Sequence, residues 1–246
     1  MNVIYIHGNG ATAESFNFMR MQLTGHNEIL LEYDSTKGFY NNYQEMRKRL
    51  DGVEDIFFIA HSLGGVYALH LANDLSDTVL GAVTISTPYG GSKAAQFAKY
   101  VMPFHQVLRD IQPHSPPIAK GHEFKISQPW TNIVTTGGHS SLMMEANDGV
   151  VTQDSMCHRQ DITLIDVESN HHEILLSHET VAIIRKVMKG AKRPYDLQRW
   201  SRRLIRQLPA RLRSSWLARQ LPLWIRSPAN GCPLPGPNDS RSASLS

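Results

Sequence analysis

Short apolar runs alternate with segments of helical periodicity along the first 190 residues of the chain. Runs of apolar, β-branched and aromatic residues indicate strands, and they occur at 3–6, 28–33, 56–60, 79–86, 132–136 and 162–167. Helical patterns fall near 13–24 and 41–51, from 63 onward, and at 177–189. This alternation predicts an α/β fold, with a mostly parallel sheet and helices on both of its faces.

One segment, residues 91–130, interrupts the alternation. It carries an apolar stripe at helical spacing, broken by a proline at 103, whose members are Phe97, Tyr100, Val101, Phe104, Leu108 and Ile111. Two interpretations fit this pattern equally. The segment is either a short helical cap that lines an apolar substrate pocket, or a helix of the core.

Polar clusters follow several of the predicted strands. They lie at 7–10, 62, 87–91, 148 and 171–172. Because the loops at the carboxyl ends of parallel strands meet at one edge of an open α/β sheet, we expect these clusters to lie on the same rim. The pattern therefore predicts a functional site there.

The stretch 55–72 joins a buried strand to a helix at a tight turn that contains Ser62. Ala60 and Gly64 flank the serine, and a sharp turn of this kind requires small residues at these positions because they come close together. Such a turn, a nucleophile elbow, holds the serine hydroxyl clear of the backbone. The alternative is an ordinary helix-capping serine, and the strand before the turn and the helix after it favour the catalytic interpretation.

Composition and charge divide the chain into a body and a tail. The 246 residues, 19% of them charged, suit one sizeable soluble domain and exclude disordered, collagen-like and disulfide-rich classes. Residues 1–190 hold 14 Lys and Arg against 20 Asp and Glu, a net charge of −6, whereas 191–246 hold 11 against 2, a net charge of +9. We therefore expect an acidic domain over 1–190 and a basic extension after it.

The extension alternates apolar and basic positions. Leu197, Trp200, Leu204 and Leu208 share one helical face, and Arg199, Arg202, Arg203 and Arg206 lie elsewhere. A basic amphipathic helix over 191–226 fits peripheral contact with an anionic membrane surface, and equally a helix docked on the acidic body or a poorly ordered extension. Nucleic acid is not an expected specific partner, because no recognition motif is present. Residues 227–246, rich in Ser, Pro and Gly, are predicted to be disordered.

The sequence shows neither a signal peptide at its start nor an apolar run long enough to span a membrane. The first residues enter a strand directly, without the basic and apolar regions of a signal peptide, and no apolar run reaches 18 residues. Cys157 and Cys232 fit no metal spacing and are expected to be unpaired thiols. These features favour a cytoplasmic protein, peripheral to the inner face of the membrane if the tail binds lipid.

Five motifs over residues 2–190 resemble those of the α/β-hydrolase superfamily, in the order in which that family carries them. They are the sequences IHGNG at 6–10, AHSLGG at 60–65, STPYGGS at 86–92, NDGVV at 147–151 and HEILL at 172–176. The chain is most similar to the small bacterial lipases and esterases of the superfamily. The resemblance implies a compact α/β-hydrolase fold with a short helical cap insertion, and it does not extend into the tail.

The resemblance also implies a catalytic triad of Ser62, Asp148 and His172. His172 would take the proton of Ser62 as the hydroxyl attacks a carbonyl and then return it to the leaving group, while Asp148 would fix the imidazole tautomer. Backbone N–H groups of Asn9 and Leu63 would bind the oxyanion. Such chemistry needs no cofactor and no metal, and the histidines show no zinc-ligand spacing.

The choice of acid and base leaves alternatives open. Asp154, Asp161 and Asp166 compete with Asp148, which is preferred because it lies in a turn between two predicted strands. An Asx-turn aspartate without a catalytic role is the further alternative.

His171 competes with His172 as the base. His172 is preferred because the family pattern His-x-x-Leu-Leu leads into the last helix and makes Leu175 and Leu176 packing residues. His7 and His61 are expected to position the oxyanion loop and the turn at Ser62.

The function implied is hydrolysis of carboxylic esters of small apolar molecules through an acyl-enzyme. The alternatives are a thioesterase, amidase or acyltransferase that uses the same triad. A binding protein built on an inactive hydrolase scaffold is the remaining, less favoured one.

Overall fold

The structure is a computed structural model that describes residues 1–93, 95, 106–140, 143 and 145–191. Six strands form its sheet: β1 (Asn2–Ile6), β2 (Asn27–Leu31), β3 (Ile56–His61), β4 (Val79–Ile85), β5 (Trp130–Thr135) and β6 (Thr163–Val167). All neighbouring pairs are parallel, in the order β2-β1-β3-β4-β5-β6. The predicted mostly parallel sheet is confirmed.

Among the described residues, the α-helices that connect or follow the strands are α1 (Asn17–Gln22), α2 (Phe39–Arg49), α3 (Leu63–Asp74), α4 (Gln106–Asp110), α5 (Pro116–Glu123), α6 (Gln153–Met156) and α7 (His178–Gly190). Short 3-10 turns, Ala13–Phe16 and Glu173–Leu176, precede α1 and α7. The predicted helices at 13–24, 41–51 and 177–189 are thus found within a few residues of their expected bounds.

Side chains that alternate along the strands supply both faces of the sheet. In β1, Ile4 and Ile6 pack in a cluster with residues of α2 and α3, whereas Val3 and Tyr5 pack in a second cluster with residues of α1 and α7. β3 and β4 are buried along their whole length, as expected for central strands covered on both faces. The helices therefore lie on both faces of the sheet, as the sequence predicts.

The described part of the 91–130 segment packs on the helical layer that covers one face of the sheet. α5 contacts α3, and α4 contacts α2 and α5. Leu108, Ile111 and Ile118 are buried in the cluster that contains the apolar faces of α2 and α3. These three residues belong to the core, while the predicted stripe positions at 97–104 lie outside the described residues.

One compact unit spans Met1–Lys192. The predictions for the extension from 192 onward, both the amphipathic helix and the disordered end, lie outside the described residues. Within the described ranges, no helix is both long enough and apolar enough to cross a membrane.

Candidate active site

Ser62 lies at a sharp turn between β3 and α3. β3 ends at His61, α3 begins at Leu63, and Ser62 between them has φ 51° and ψ −123°. A positive φ is unfavourable for a residue with a Cβ, and such conformations cluster at functional sites. The backbone N–H of Ser62 donates to the carbonyl of Ile85, at 2.8 Å, which ties the turn to β4.

The absence of a side chain at Gly64 allows the turn to lie close to β1. A Cβ at this position would be 2.1 Å from the carbonyl oxygen of Ile6 and 2.6 Å from that of His7. No real Cβ approaches backbone atoms so closely, so only glycine fits. The sequence predicts a small residue at 64, and the structure shows that the end of β1 imposes the tightest limit there.

Replacing Gly64 by alanine is expected to lower the free energy of unfolding by about 3 kcal/mol, because the methyl group would push β1 and the turn apart. Gly190→Ala is a matched control, since nothing lies within 4 Å of its added Cβ. Urea unfolding monitored by circular dichroism measures both variants. Equal free energies of unfolding of the two variants would contradict a close packing of β1 against Gly64.

The loop after β1, residues 7–10, runs alongside the turn. A Cβ on Gly8 would lie 3.3 Å from the Cβ of Ser62 and 3.0 Å from Nδ1 of His61. The loop is tethered at both ends: the ring of His7 stacks on Tyr33 with centroids 4.3 Å apart, and the N–H of Gly10 donates to Oγ of Ser35, at 3.0 Å. His7 therefore anchors the loop, as predicted.

The two expected oxyanion donors are on these two segments. Leu63 is the first residue of α3, where a backbone amide has no partner within the helix, and the side chain of Ser62 does not cap that helix end. Asn9 is in the middle of the loop that contacts Ser62 through Gly8. Its side-chain oxygen is buried and lacks a hydrogen-bond partner among the described residues.

Asp148 is almost completely buried and accepts four hydrogen bonds. Oδ1 accepts from the backbone N–H groups of Val150, at 3.0 Å, and Val151, at 2.8 Å. Oδ2 accepts from Nδ1 of His171, at 2.7 Å, and from the hydroxyl of Thr135. Burial acts to raise the pKa of Asp148, but the hydrogen bonds from His171, Thr135 and Val151 outweigh it and the pKa is lowered. The carboxylate is therefore the stable form in the fold.

The imidazole bonded to Asp148 belongs to His171, which sequence reasoning left as the alternative, and not to His172. The backbone N–H of His171 also donates to the carbonyl of Asp148, at 3.1 Å, and its side chain is buried. His172 is exposed, and its backbone N–H is bonded to Oδ1 of Asn170, at 3.1 Å. In the structure the histidine bonded to Asp148 is therefore His171 and not the preferred His172.

The burial of the residues that follow the two histidines is shifted by one position from the pattern expected from the sequence. The preference for His172 required Leu175 and Leu176 to pack inside, but Leu176 is 62% exposed. Ile174 and Leu175 are the buried pair, at 0% and 6% exposure. The pattern of a histidine followed by two apolar packing residues therefore begins at His171.

His61 connects the turn to His171. Its Nε2 donates to the backbone carbonyl of His171, at 2.8 Å, and the two rings lie 4.7 Å apart. Burial, and then the neighbouring imidazole of His171, hold the pKa of His61 well below its ordinary value. A neutral His61 that donates through Nε2 fits the positioning role expected from the sequence. Because Ser62 is the next residue in the chain, this bond links the turn to His171.

The depressed pKa of His61 predicts a loss of stability in mild acid. In the unfolded chain His61 takes up a proton near pH 6.5, whereas the folded state resists it, so its contribution is full above pH 6.5 and falls as the pH drops below that value. The loss is up to about 1.4 kcal/mol per pH unit. Urea unfolding at pH 7.5 and 5.0 should show a smaller pH difference for His61→Gln than for His139→Gln, an exposed-histidine control. If the stability of both variants changed equally between the two pH values, the depressed pKa of His61 would be contradicted.

Two further side chains extend the hydrogen bonds of Asp148 and were missed from the sequence. Thr135, the last residue of β5, donates to Asp148, and Oγ of Ser86 lies 2.9 Å from Oγ1 of Thr135. Both are 0% exposed. The sequence offers one signal for these two residues: each is a polar residue at the end of a predicted strand, and the two strands are neighbours. Among the described residues, no group of three or more His, Cys, Asp or Glu is placed to hold a metal ion.

Comparisons with solved structures show which fold the chain has. No protein-family model matches the chain, and no curated protein matches it. Solved structures do match. A metagenomic carboxyl esterase has a TM-score of 0.63 at 16% identity, covering 77% of this chain and 76% of the other. The mature lipase of Bacillus licheniformis has a TM-score of 0.59 at 12% identity, covering 76% and 91%.

A monoacylglycerol lipase of Paleococcus ferrophilus also matches, with a TM-score of 0.54 at 14% identity over 77% of this chain and 93% of the other. At these low identities the likeness concerns the fold. Together with the six-stranded parallel sheet covered by helices, it shows that the chain has the α/β-hydrolase fold. The α/β-hydrolase fold expected from the sequence motifs is confirmed, whereas the short helical cap insertion stays a prediction.

Proposed function

We propose that the chain is a serine hydrolase that cleaves carboxylic esters of apolar molecules, with Ser62 as nucleophile, His171 as base and Asp148 as acid. The observation that carries the proposal is the buried bond from Nδ1 of His171 to Asp148, together with the bond from His61, the residue before Ser62, to the backbone carbonyl of His171. The α/β-hydrolase fold and its esterase and lipase neighbours support it. His171 replaces His172 in the triad expected from the sequence.

The tautomer of His171 follows from its partner. A carboxylate only accepts hydrogen bonds, so Nδ1 of His171 carries the proton that Asp148 binds, and in the neutral ring Nε2 is the basic atom. In the proposed mechanism, Nε2 takes the proton of Ser62 while Oγ attacks the ester carbonyl, and then gives it to the leaving alcohol. Water, activated by the same atom, releases the acid and regenerates Ser62.

The oxyanion of the tetrahedral intermediate needs preorganised donors. We assign this role to the amide of Leu63, at the uncapped start of α3, and to the amide of Asn9, in the loop alongside the turn. Each donor of this kind typically contributes about 3 kcal/mol to transition-state stabilisation.

The experiment that tests the function is hydrolysis of p-nitrophenyl esters with acyl chains from about two to sixteen carbons, a range that sizes the acyl pocket. The expected result is saturable hydrolysis with a maximum within the series. Enzyme inactivated beforehand with a fluorophosphonate is the control and should lose all activity, because the reagent occupies the nucleophile. Hydrolysis that survives the reagent would contradict a serine mechanism.

Esters and related substrates are separated by the same assay. The triad determines the acyl-enzyme step but not the leaving group or the acceptor. Thioesters with the same acyl chain therefore test the thioesterase alternative, anilides test the amidase alternative, and added alcohol acceptors test the acyltransferase alternative. An apolar acyl ester hydrolysed faster than its thioester and anilide supports the proposal. Reagent-sensitive turnover of the thioester alone would replace it with a thioesterase, and absence of turnover with every substrate would favour a binding scaffold.

A further inference from the structure

We propose that Ser86 and Thr135 are positioning residues for the catalytic acid, forming a hydroxyl chain that holds the Asp148 carboxylate in the orientation that His171 requires. This inference rests on the proposed function, because it concerns how the acid of that triad is held. Neither residue touches the reacting atoms in this account. Both act through Asp148.

The fold brings the two hydroxyls to the acid from adjacent strands. β4 and β5 are parallel neighbours, with Ile85 in register with Ile133, so their carboxyl ends lie side by side. Ser86 follows β4 directly and Thr135 ends β5. Asp148 lies in the loop after β5. Its carboxylate therefore contacts hydroxyl groups whose positions are set by the ends of two neighbouring strands.

The donors and acceptors in this chain have one consistent direction. The ionised Asp148 can only accept, so the hydrogen of the Thr135 hydroxyl is directed to Oδ2. A hydroxyl has a single hydrogen, so Oγ1 of Thr135 must then accept from Oγ of Ser86, 2.9 Å away. Each hydrogen bond polarises the next, which strengthens the contact with the carboxylate.

Thr135 provides the second hydrogen bond to Oδ2 of Asp148, the oxygen that is bonded to His171. Oδ1 is fixed by two backbone amides, whereas Oδ2 receives only the imidazole and the Thr135 hydroxyl among the described residues. Without Thr135, the bond to His171 would be the one remaining side-chain restraint on Oδ2. The carboxylate could then turn away when the imidazole becomes charged and shifts during turnover.

The backbone of Ser86 provides independent support. Ser86 has φ 51°, in the left-handed region that glycine adopts freely and residues with a Cβ adopt at a cost. A glycine would satisfy the backbone better, yet a serine stands there with its hydroxyl bonded to Thr135. The side chain is therefore explained by what its hydroxyl contacts rather than by the turn.

Three variants test the inference through kcat, KM and the melting temperature. Thr135→Val, which keeps the shape and removes the hydroxyl, should lower kcat about 10- to 100-fold with KM within about threefold. Thr135→Ser, which restores the hydroxyl, should recover kcat to within about threefold. Ser86→Gly should lower kcat about 3- to 10-fold while its melting temperature stays the same or rises, because the strain at this position is relieved.

The Ser86→Gly variant separates positioning from structural support. If Ser86 had only a structural role, Ser86→Gly would keep the wild-type kcat with an equal or higher melting temperature, and that result would overturn the inference. A wild-type kcat in Thr135→Val would also overturn it. Equal loss in Thr135→Val and Thr135→Ser would overturn it as well. If instead the wild-type enzyme shows no turnover that depends on Ser62, the proposed function fails and this inference fails with it.

Discussion

Ser62→Ala is expected to lower kcat for ester hydrolysis by about a million-fold, the scale on which loss of a triad nucleophile acts. The alanine retains the backbone of the turn and removes the hydroxyl that would attack the ester. The oxyanion donors remain, so a small residual rate above the uncatalysed reaction should survive. Initial rates on the best p-nitrophenyl ester of the series measure the effect, with enzyme concentrations high enough to detect residual turnover.

Ser76→Ala is the matched control for this measurement. Ser76 is exposed and follows α3, in the chain segment that leads to β4, so the same chemical change there should leave kcat within about twofold of wild type. Both variants should keep the wild-type melting temperature within a few degrees. A folded Ser62→Ala enzyme with more than about a tenth of wild-type activity would exclude Ser62 as the nucleophile.

His171→Ala is expected to lower kcat by about 10⁴- to 10⁶-fold, whereas His172→Ala should leave it within about fivefold. The reason for the difference is geometric. His171 is bonded to the buried Asp148, and His172 is exposed beside it. The neighbouring histidine thus provides a control that differs by one position in the chain.

A second variant guards against misfolding at the buried position. His171→Gln fills a similar volume and can donate a hydrogen bond to Asp148, so a folded but inactive glutamine variant would assign the loss to the missing base. The reverse outcome, an active His171 variant and an inactive His172→Ala, would restore the histidine first preferred from the sequence and refute the base proposed for this site.

The sheet could be predicted from the sequence because the relevant signals are local. Runs such as 56–60 are apolar at every position, which identifies central strands covered on both faces, and the helical patterns between them fix the alternation. The turn at Ser62 was equally readable, since a buried strand, small residues and a helix follow one another there. The structure confirms these elements within one to three residues at most ends.

The parts that the sequence left open depend on distant contacts. His171 and His172 are chemically identical neighbours, and what distinguishes them is the bond of His171 to Asp148, a contact between distant positions that no local pattern decides. The bond from Thr135 to Asp148 joins residues from a strand end and a loop, and Ser86 joins it from another strand. The apolar stripe near Leu108 has the same period in a core helix as in a cap, so only packing could assign its end to the core.

The most direct test of the central claim is to identify the residue that a fluorophosphonate modifies, by digestion and mass spectrometry of the labelled protein. We expect one phosphonylated site, at Ser62, formed rapidly in the wild type and in His172→Ala but very slowly in His171→Ala. A label on another residue, or equally fast labelling of Ser62 without His171, would contradict it.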